Sequence, residues 1–319
     1  MGTIWVDQRA ANTVHAVDGA TMGIVASVPV GCAPYGMTIV GRHLYVANHS
    51  SINNGCDPAG ASISVINMDT HTEITRIVLP FGSEPTFADN AGGRVFVALH
   101  WSDGTRGETR QAVVIQDTTL AIEGYVQKDP VALQNDAWGL ATDPNGGFLY
   151  IGWRNGATVS KYSLASPFGA PVGRFQPNGN VFFVQVNKFN GDLYFVHTPS
   201  AGAEQPANII EQRARDGSLK AFRTVSGLDT FDGGGIAINH TNSDRLYVSG
   251  TDYLGPTDLV QVMFAGLGYS ATAPYRLGPL QGIHVDPVGI AANETTNRIY
   301  VANRGDNTIT VIEDTEVIP

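Results

Sequence analysis

Short runs in which apolar and polar residues alternate recur along the whole chain. In the stretch 298–314, Ile299 and Val301 alternate with small or polar residues, and the alternation returns at Ile309 and Val311. A period of two predicts half-buried β-strands. The residues between the two runs, 303–307, are of the types that form turns. The pattern therefore predicts strands joined by short polar turns.

Seven copies of this pattern are centred on an aromatic residue, and the aromatic residues lie 40 to 54 positions apart. The seven aromatic residues are Trp5, Tyr45, Phe96, Tyr150, Tyr194, Tyr247 and Tyr300. A repeat of this length that contains only short strands is typical of a β-propeller with one four-stranded blade per repeat.

Each repeat also contains a third strand, a more exposed outer strand and a strand rich in small residues. The last type is clearest at 34–39, 137–141, 234–238 and 288–291. Because small residues suit the crowded strand next to a propeller axis, we predict the order inner, aromatic, third and outer strand. The fold class is an all-β propeller of seven four-stranded antiparallel blades, with six blades as the alternative. Residues 1–319 are expected to form one domain, whose closing blade takes a strand from 315–319.

The segments 44–48 and 299–303, with the sequences LYVAN and IYVAN, are followed by SISVINMDT and TITVIEDT. Together they resemble the YVTN-type β-propeller repeat, whose members include lactonase-like seven-bladed propellers, domains of redox enzymes and binding proteins. The resemblance spans nearly the whole chain, is strongest at both ends, and implies the fold. It selects no activity, so no catalytic residues are carried over from the family.

Composition excludes several classes of function. A net charge of -10 without a basic stripe argues against nucleic-acid binding. No run of 18 apolar residues is present, so no membrane contact is expected. The chain starts without the apolar core of a signal peptide, which favours the cytoplasm for the sequence as it stands. The expected partner is a small organic molecule, and the expected state is a monomer.

The two cysteines, Cys32 and Cys56, are either unrelated loop residues or a single bridge. Propeller topology places both on the same face of one blade, so we predict that they are close. A bridge would close a loop of about 25 residues and contribute on the order of 3 kcal/mol. It would also favour a periplasmic or secreted location over the cytoplasm.

Antiparallel blades determine which loops share a face. The turns from aromatic to third strand and from outer strand to the next inner strand lie on one face, which we call the loop face. Most long insertions belong to it, namely 48–60, 99–110, 128–136, 196–207, 227–233 and 278–287. Because function concentrates in loops on a rigid scaffold, the loop face is the candidate site.

Candidate chemistry lies where the aromatic strands end at the loop face. The predicted catalytic residues are His49, His100, His197 and Asp252. The predicted substrate-binding residues are Arg9, Asn48, Trp101, Trp153, Arg154, Tyr253, His284 and Arg304. Further acids in the same loops include Asp7 and Glu84. This combination suits binding of a small, partly aromatic molecule and proton transfer on it.

The position of each histidine predicts which of them act together. His49 and His100 each lie four positions after the aromatic residue, and His197 lies three positions after it. Since side chains alternate along a strand, we expect His49 and His100 to form a near pair. His197 joins them only if its strand ends early or bulges.

Each of these residues also has a structural interpretation. A histidine on a loop often makes only a local hydrogen bond, tryptophans pack between blades, and arginines pair with acids. A metal ion on His49, His100 and His197 is chemically possible, but no zinc-type spacing supports it. No nucleotide-binding or redox motif is present, so no cofactor is expected.

Two functions follow from these residues. The first is an enzyme, a lyase, isomerase or hydrolase without a redox cofactor, that uses acid–base residues at the axial mouth of the propeller. The second is a non-catalytic propeller that binds a protein, peptide or glycan.

Overall fold

A computed structural model of the chain describes residues 2–50, 55–101, 109–131, 137–154, 156–199, 208–224, 235–240, 245–250, 258–264, 275–277, 287–303 and 306–314. The chain forms two compact units, Met1–Gln176 and Pro177–Pro319. No helix among the described residues is long and apolar enough to cross a membrane.

The first unit contains four antiparallel sheets, β1–β3, β4–β7, β8–β11 and β12–β15, with strands hydrogen-bonded in chain order. Its strands are β1 (Thr3–Gln8), β2 (Thr13–Asp18), β3 (Ile24–Pro29), β4 (Pro34–Val40), β5 (His43–Asn48), β6 (Ser62–Asn67), β7 (Thr72–Val78), β8 (Ser83–Ala91), β9 (Arg94–Trp101), β10 (Arg110–Gln116), β11 (Ala121–Gln127), β12 (Ala137–Asp143), β13 (Phe148–Trp153), β14 (Thr158–Ser163) and β15 (Gly173–Phe175). The described residues between these strands include two short 3-10 helices, Arg9–Ala11 and Pro58–Gly60.

The second unit contains three antiparallel sheets, β16–β19, β20–β23 and β24–β26, again paired in chain order. Its strands are β16 (Val181–Val186), β17 (Leu193–His197), β18 (Ile209–Arg213), β19 (Leu219–Thr224), β20 (Gly235–Asn239), β21 (Arg245–Gly250), β22 (Asp258–Phe264), β23 (Tyr275–Leu277), β24 (Pro287–Asn293), β25 (Arg298–Asn303) and β26 (Thr308–Glu313).

The four-stranded antiparallel blade and its strand order are confirmed. All seven aromatic runs are strands, namely β1, β5, β9, β13, β17, β21 and β25. Among the described residues, five sheets have four strands, β1–β3 has no inner strand and β24–β26 has no outer one. Counted by inner strands, the described residues have six blades, which is the alternative, so the first expectation of seven four-stranded blades is not met. The proposed closing strand at 315–319 lies outside the described residues.

Burial differs between the strands of a blade as the order predicts. The aromatic strand β9 is buried on both faces, because the sheets on either side of it pack against it. Tyr45 and Val97, for example, belong to the core between sheets β4–β7 and β8–β11. The outer strand β7 alternates between exposed and partly buried positions. The half-buried pattern thus describes the outer strand β7, whereas most residues of the aromatic strand β9 are buried.

The inner strands are crowded, and this is the reason for their small residues. A Cβ atom at Gly36 in β4 would collide with the carbonyl oxygen of Thr86 in β8. Glycine therefore allows the inner strands of neighbouring sheets to approach closely at this point.

Cys32 and Cys56 form a disulfide with their Cα atoms 6.0 Å apart, so the predicted proximity is confirmed. The bridge holds the segment that follows β5 next to the segment that leads into β4. It agrees with the periplasmic or secreted option for the location of the protein.

Candidate functional site

Two side chains of the candidate site face each other within one blade. Glu84, at the start of inner strand β8, is the register partner of His100, near the end of aromatic strand β9. Directly opposed residues of an antiparallel pair project to the same side of the sheet. The His100 Nδ1 atom accordingly lies 2.8 Å from the Glu84 Oε2 atom. The blade itself therefore fixes this contact.

His49 reaches the same carboxylate from the neighbouring sheet. It follows the aromatic strand β5, and its backbone N–H donates to the carbonyl oxygen of Ala33 at 2.9 Å. Its Nε2 atom lies 3.5 Å from Glu84 Oε2, and its ring stacks on that of His100 with centroids 6.2 Å apart. We call His49, Glu84 and His100 the histidine–glutamate site.

The tautomer of His49 follows from its second contact. The Nδ1 atom lies 3.2 Å from the carbonyl oxygen of Pro85, which can only accept a hydrogen bond, so Nδ1 carries the proton. Burial lowers the pKa of His49 to about 4; Arg9 and His100 add to this effect, and Glu84 and the Pro85 carbonyl oppose it. His49 is therefore neutral near pH 7, with the lone pair of Nε2 directed towards Glu84.

Aromatic rings enclose the histidine–glutamate site. Trp138, in inner strand β12, makes edge contacts with His100 at 5.2 Å and with His49 at 6.1 Å between centroids. Tyr35, in inner strand β4, lies 5.5 Å from His49 and 5.3 Å from Phe87. We call Tyr35, Phe87 and Trp138 the aromatic wall. It lowers the local polarity around the two imidazoles and the carboxylate.

Two predicted arginines lie on this wall. The guanidinium of Arg9 is 5.2 Å from the centroid of Tyr35, and that of Arg154 is 4.9 Å from the centroid of Trp138. Burial raises the pKa of the nearby acid Asp7 to about 7, against the opposing effects of a backbone hydrogen bond and Arg9. Positive charge is thus held against the aromatic wall by cation–π contact.

Asn48 contacts the fold instead of the histidine–glutamate site. Its side chain is fully buried, and its Nδ2 atom donates to the hydroxyls of Ser62 and Ser64 at 3.1 and 3.0 Å. Asn303 makes the same pair of bonds to Thr308 and Thr310 in another sheet. The asparagine of the repeat therefore ties the aromatic strand to the third strand, which indicates a structural role.

Two predicted tryptophans also belong to the packing between blades. Trp101 is buried and donates from Nε1 to the carbonyl oxygen of Arg110 at 2.6 Å. Trp153 is buried and donates to the hydroxyl of Ser160 at 2.8 Å. These bonds use the single polar atom of each ring, so both side chains serve the core.

His197 lies in the second unit, at the end of β17. Its Nδ1 atom is 2.7 Å from the carbonyl oxygen of Thr198, and its Nε2 atom is 3.4 Å from Glu211 Oε2. Arg213 donates to the same carboxyl group of Glu211. The catalytic roles of His197 and Asp252 stay predictions, and so do the substrate-binding roles of Tyr253, His284 and Arg304. Of these residues, only His197 is among those that the structure describes.

The sequence did not single out two residues at the centre of the site. Glu84 is one of several acids near the loop face in the sequence, and Tyr35 belongs to an inner strand expected to carry small residues. Glu84 could have been identified from the pairing of β8 with β9, because that register places Glu84 opposite His100. Most of the long loops that led to the loop face lie outside the described residues.

No family model matches the chain, and no curated protein matches its sequence. Solved structures do match. Hydrazine synthase of Kuenenia stuttgartiensis has 18% identity and a TM-score of 0.74, over 99% of this chain and 93% of that chain. The Cps50 (Swd1) β-propeller domain of Myceliophteria thermophila has 12% identity and a TM-score of 0.66, over 98% and 96%.

A third match is the dihydro-heme d1 dehydrogenase NirN, with 12% identity and a TM-score of 0.65, over 99% of this chain and 61% of that chain. The three matches show that the chain has a β-propeller fold. At these identities they show the fold alone, and proteins with this fold include enzymes as well as others. The function has to be argued from the site.

Proposed function

We propose that the protein is an enzyme that acts on a small organic molecule by acid–base chemistry at the histidine–glutamate site. The observation that carries the proposal is one buried carboxylate, Glu84, in contact with two stacked imidazoles from different sheets. Functional sites are where titratable groups of this kind meet in an apolar setting.

His100 is the proposed general base. Its side chain is 17% exposed, whereas those of His49 and Glu84 are each 6% exposed, so His100 is the member of the site most open to a ligand. When Nδ1–H donates to Glu84, the lone pair of His100 is on Nε2, which can take a proton from a substrate. Glu84 orients the ring and stabilises the imidazolium that forms.

The substrate we propose is a small molecule with an anionic group and an unsaturated or aromatic part. Arg9 and Arg154 offer guanidinium groups suited to a carboxylate, and the aromatic wall suits a planar group. The reaction class is that of a lyase, isomerase or hydrolase, because acid–base residues supply proton transfers and no electron transfer.

The test uses two probes. Hydrolysis of the aromatic ester 4-acetoxybenzoate, which carries a carboxylate, reports a hydrolase, and exchange of the α-proton of mandelate in deuterated water reports proton abstraction. We expect the unmodified protein to turn over one of them and His100→Asn to lose about 100-fold in kcat. His15→Gln is the matched control, because the ring nitrogens of His15 are hydrogen-bonded to the side chains of Ser27 and Gln8 and not to the histidine–glutamate site. Equal losses in both variants, or no turnover of either probe, would contradict the proposal.

The alternative, a non-catalytic propeller that binds another protein, has one observation in its favour. Outer strands β3 and β7 expose apolar side chains, with Ile24 62%, Val25 55% and Val78 68% exposed. Exposed apolar clusters often mark interaction surfaces. Under this alternative, Val78→Lys would weaken capture of a partner, whereas His100→Asn would have no effect on it.

We propose in addition a family and a location for the protein. The repeated asparagine with its two hydroxyl partners, found at both ends of the chain, supports membership of the YVTN-type propeller family. The disulfide supports a protein that works in the periplasm or outside the cell, and a monomer stays the proposed state.

A further inference from the structure

We infer that the histidine–glutamate site binds a divalent transition-metal ion of the zinc type, with His49, Glu84 and His100 as its three protein ligands. The inference rests on the location of the proposed function and deepens it, because it names the group that would supply the acid–base chemistry. Its own basis is the arrangement of donor atoms.

The donor set and its spacing fit such an ion. One ligand atom of each of the three side chains lies within 4.8 Å of the other two, and the part of the chain that the structure describes contains no other group of this kind. A tetrahedral ion with bonds of about 2.0–2.2 Å places its ligand atoms about 3.4 Å apart. The distance from His49 Nε2 to Glu84 Oε2 is 3.5 Å.

The surroundings of His49 prepare it as a ligand. Its Nδ1–H donates to the carbonyl oxygen of Pro85, which leaves the lone pair of the ring on Nε2, 3.5 Å from Glu84 Oε2. A histidine that binds a metal ion through one ring nitrogen usually donates the N–H of the other to a carboxylate, a backbone carbonyl or water.

The ligands are also held in place before any ion arrives. Glu84 and His100 are opposed residues of two paired strands, and the backbone of His49 is bonded to Ala33. The His100 Nδ1 atom lies 2.8 Å from Glu84 Oε2, a hydrogen-bond distance that has to widen by about half an ångström when an ion replaces the shared proton.

Three protein ligands leave one position of a tetrahedral ion open. Two histidines and a glutamate are the ligand set of several catalytic zinc sites, in which water occupies the open position and is deprotonated near neutral pH. The ion would give that water the role of base assigned above to His100, and Arg9 would face the resulting anion. The class of ligand is thus a divalent ion together with an anionic substrate.

The test measures metal content, not turnover. The purified protein is dialysed against Zn²⁺, and bound zinc is counted by mass spectrometry. We expect about one ion per chain, and at least a roughly 10-fold weaker affinity in Glu84→Gln and in His49→Gln. His15→Gln, the matched control, should bind zinc like the unmodified protein. Absence of zinc from the unmodified protein, or unchanged binding by Glu84→Gln, would overturn the inference.

A second measurement avoids variants that fold poorly. Co²⁺ added to the unmodified protein should saturate near one equivalent with the strong visible absorption of a four-coordinate ion, and Zn²⁺ should abolish that absorption. Weak six-coordinate absorption alone would count against the site. Turnover by a protein that binds neither Zn²⁺ nor Co²⁺ would refute the metal inference and leave the proposed function intact, whereas zinc binding without turnover would do the reverse.

Discussion

Two buried histidine–glutamate contacts occur among the described residues, and they differ in what else holds the carboxylate. Glu84 is contacted by His49 and His100 from two sheets, whereas Glu211 is contacted by His197 and by Arg213 within one sheet. A guanidinium keeps its charge at every relevant pH and cannot be displaced by a metal ion. An imidazole can lose its proton or exchange it for a metal.

The difference appears in the charge state of the second carboxylate. Burial alone would raise the pKa of Glu211, but its contacts with His197 and Arg213 outweigh burial and lower the pKa. Glu211 therefore ionises more readily than a free glutamate, and its carboxylate is paired with Arg213. The same two residue types thus build a structural pair in one blade and a candidate reactive site in another.

The largest effect expected from this comparison is on turnover. Glu84→Gln keeps the shape of the side chain but removes the charge that orients His100, so we expect kcat to fall by about 100-fold or more. Glu211→Gln is the matched substitution and should change kcat by no more than about threefold. The measurement is steady-state kinetics on whichever probe the unmodified protein converts, and equal losses in both variants would remove the distinction.

The next effect is on stability, and here we expect Glu211→Gln to lose more than Glu84→Gln. Glu211→Gln leaves the guanidinium of Arg213 beside a neutral amide in a partly buried setting, so we expect a loss of about 2 kcal/mol in the free energy of unfolding. Glu84→Gln should cost less than half of that, because its partners are imidazoles that can become neutral. Urea denaturation near pH 7 measures both, and a larger loss in Glu84→Gln would contradict the assignment.

The pH dependence of stability separates His49 from the rest of the protein. Its pKa is about 4 in the folded state and 6.5 in the unfolded state, so between these values the unfolded chain holds more protons. Its contribution is complete above pH 6.5 and is lost as the pH falls towards 4. We expect His49→Gln to reduce the acid-induced loss by on the order of 2 kcal/mol. Parallel stability curves of variant and unmodified protein would show that His49 does not titrate in this range.

The smallest effect is expected at the aromatic wall. Arg154→Gln removes a guanidinium from Trp138, so KM for an anionic substrate should rise by about fivefold, or about 1 kcal/mol, with kcat nearly unchanged. Arg110→Gln is the matched control, because Arg110 makes the same kind of contact with Trp101 and Tyr125 in the core between blades. A rise in KM for both variants would indicate a general loss of packing.

The sequence was sufficient for the repeat because the aromatic strands have a constant local pattern. It was weaker for the inner strands, where β16 has the sequence VFFVQV and buries Phe182 and Phe183 at positions expected to be small. Small residues are required only where a neighbouring strand comes close, as at Gly36. That requirement depends on packing between blades, which no single repeat encodes.

For the site, position along the strand correctly brought His49 and His100 together, but it did not identify their shared carboxylate. The choice of Glu84 depends on the register of β8 against β9. Asn48 and the tryptophans Trp101 and Trp153 also lie near strand ends, and sequence position does not tell an inward side chain from one that faces the site. Their hydrogen-bond partners, such as Ser62 and Ser160, decide this.

The disulfide has a consequence for how the protein is made. Cys32 accepts a hydrogen bond from the backbone N–H of Ser50 at 3.2 Å, directly after His49, and its sulfur is bridged to Cys56. Oxidation therefore fastens the segment that delivers one of the three central side chains. Under reducing conditions the chain would lose this covalent anchor but keep the hydrogen bond between His49 and Ala33. The order of the site would therefore depend on the redox state of its surroundings.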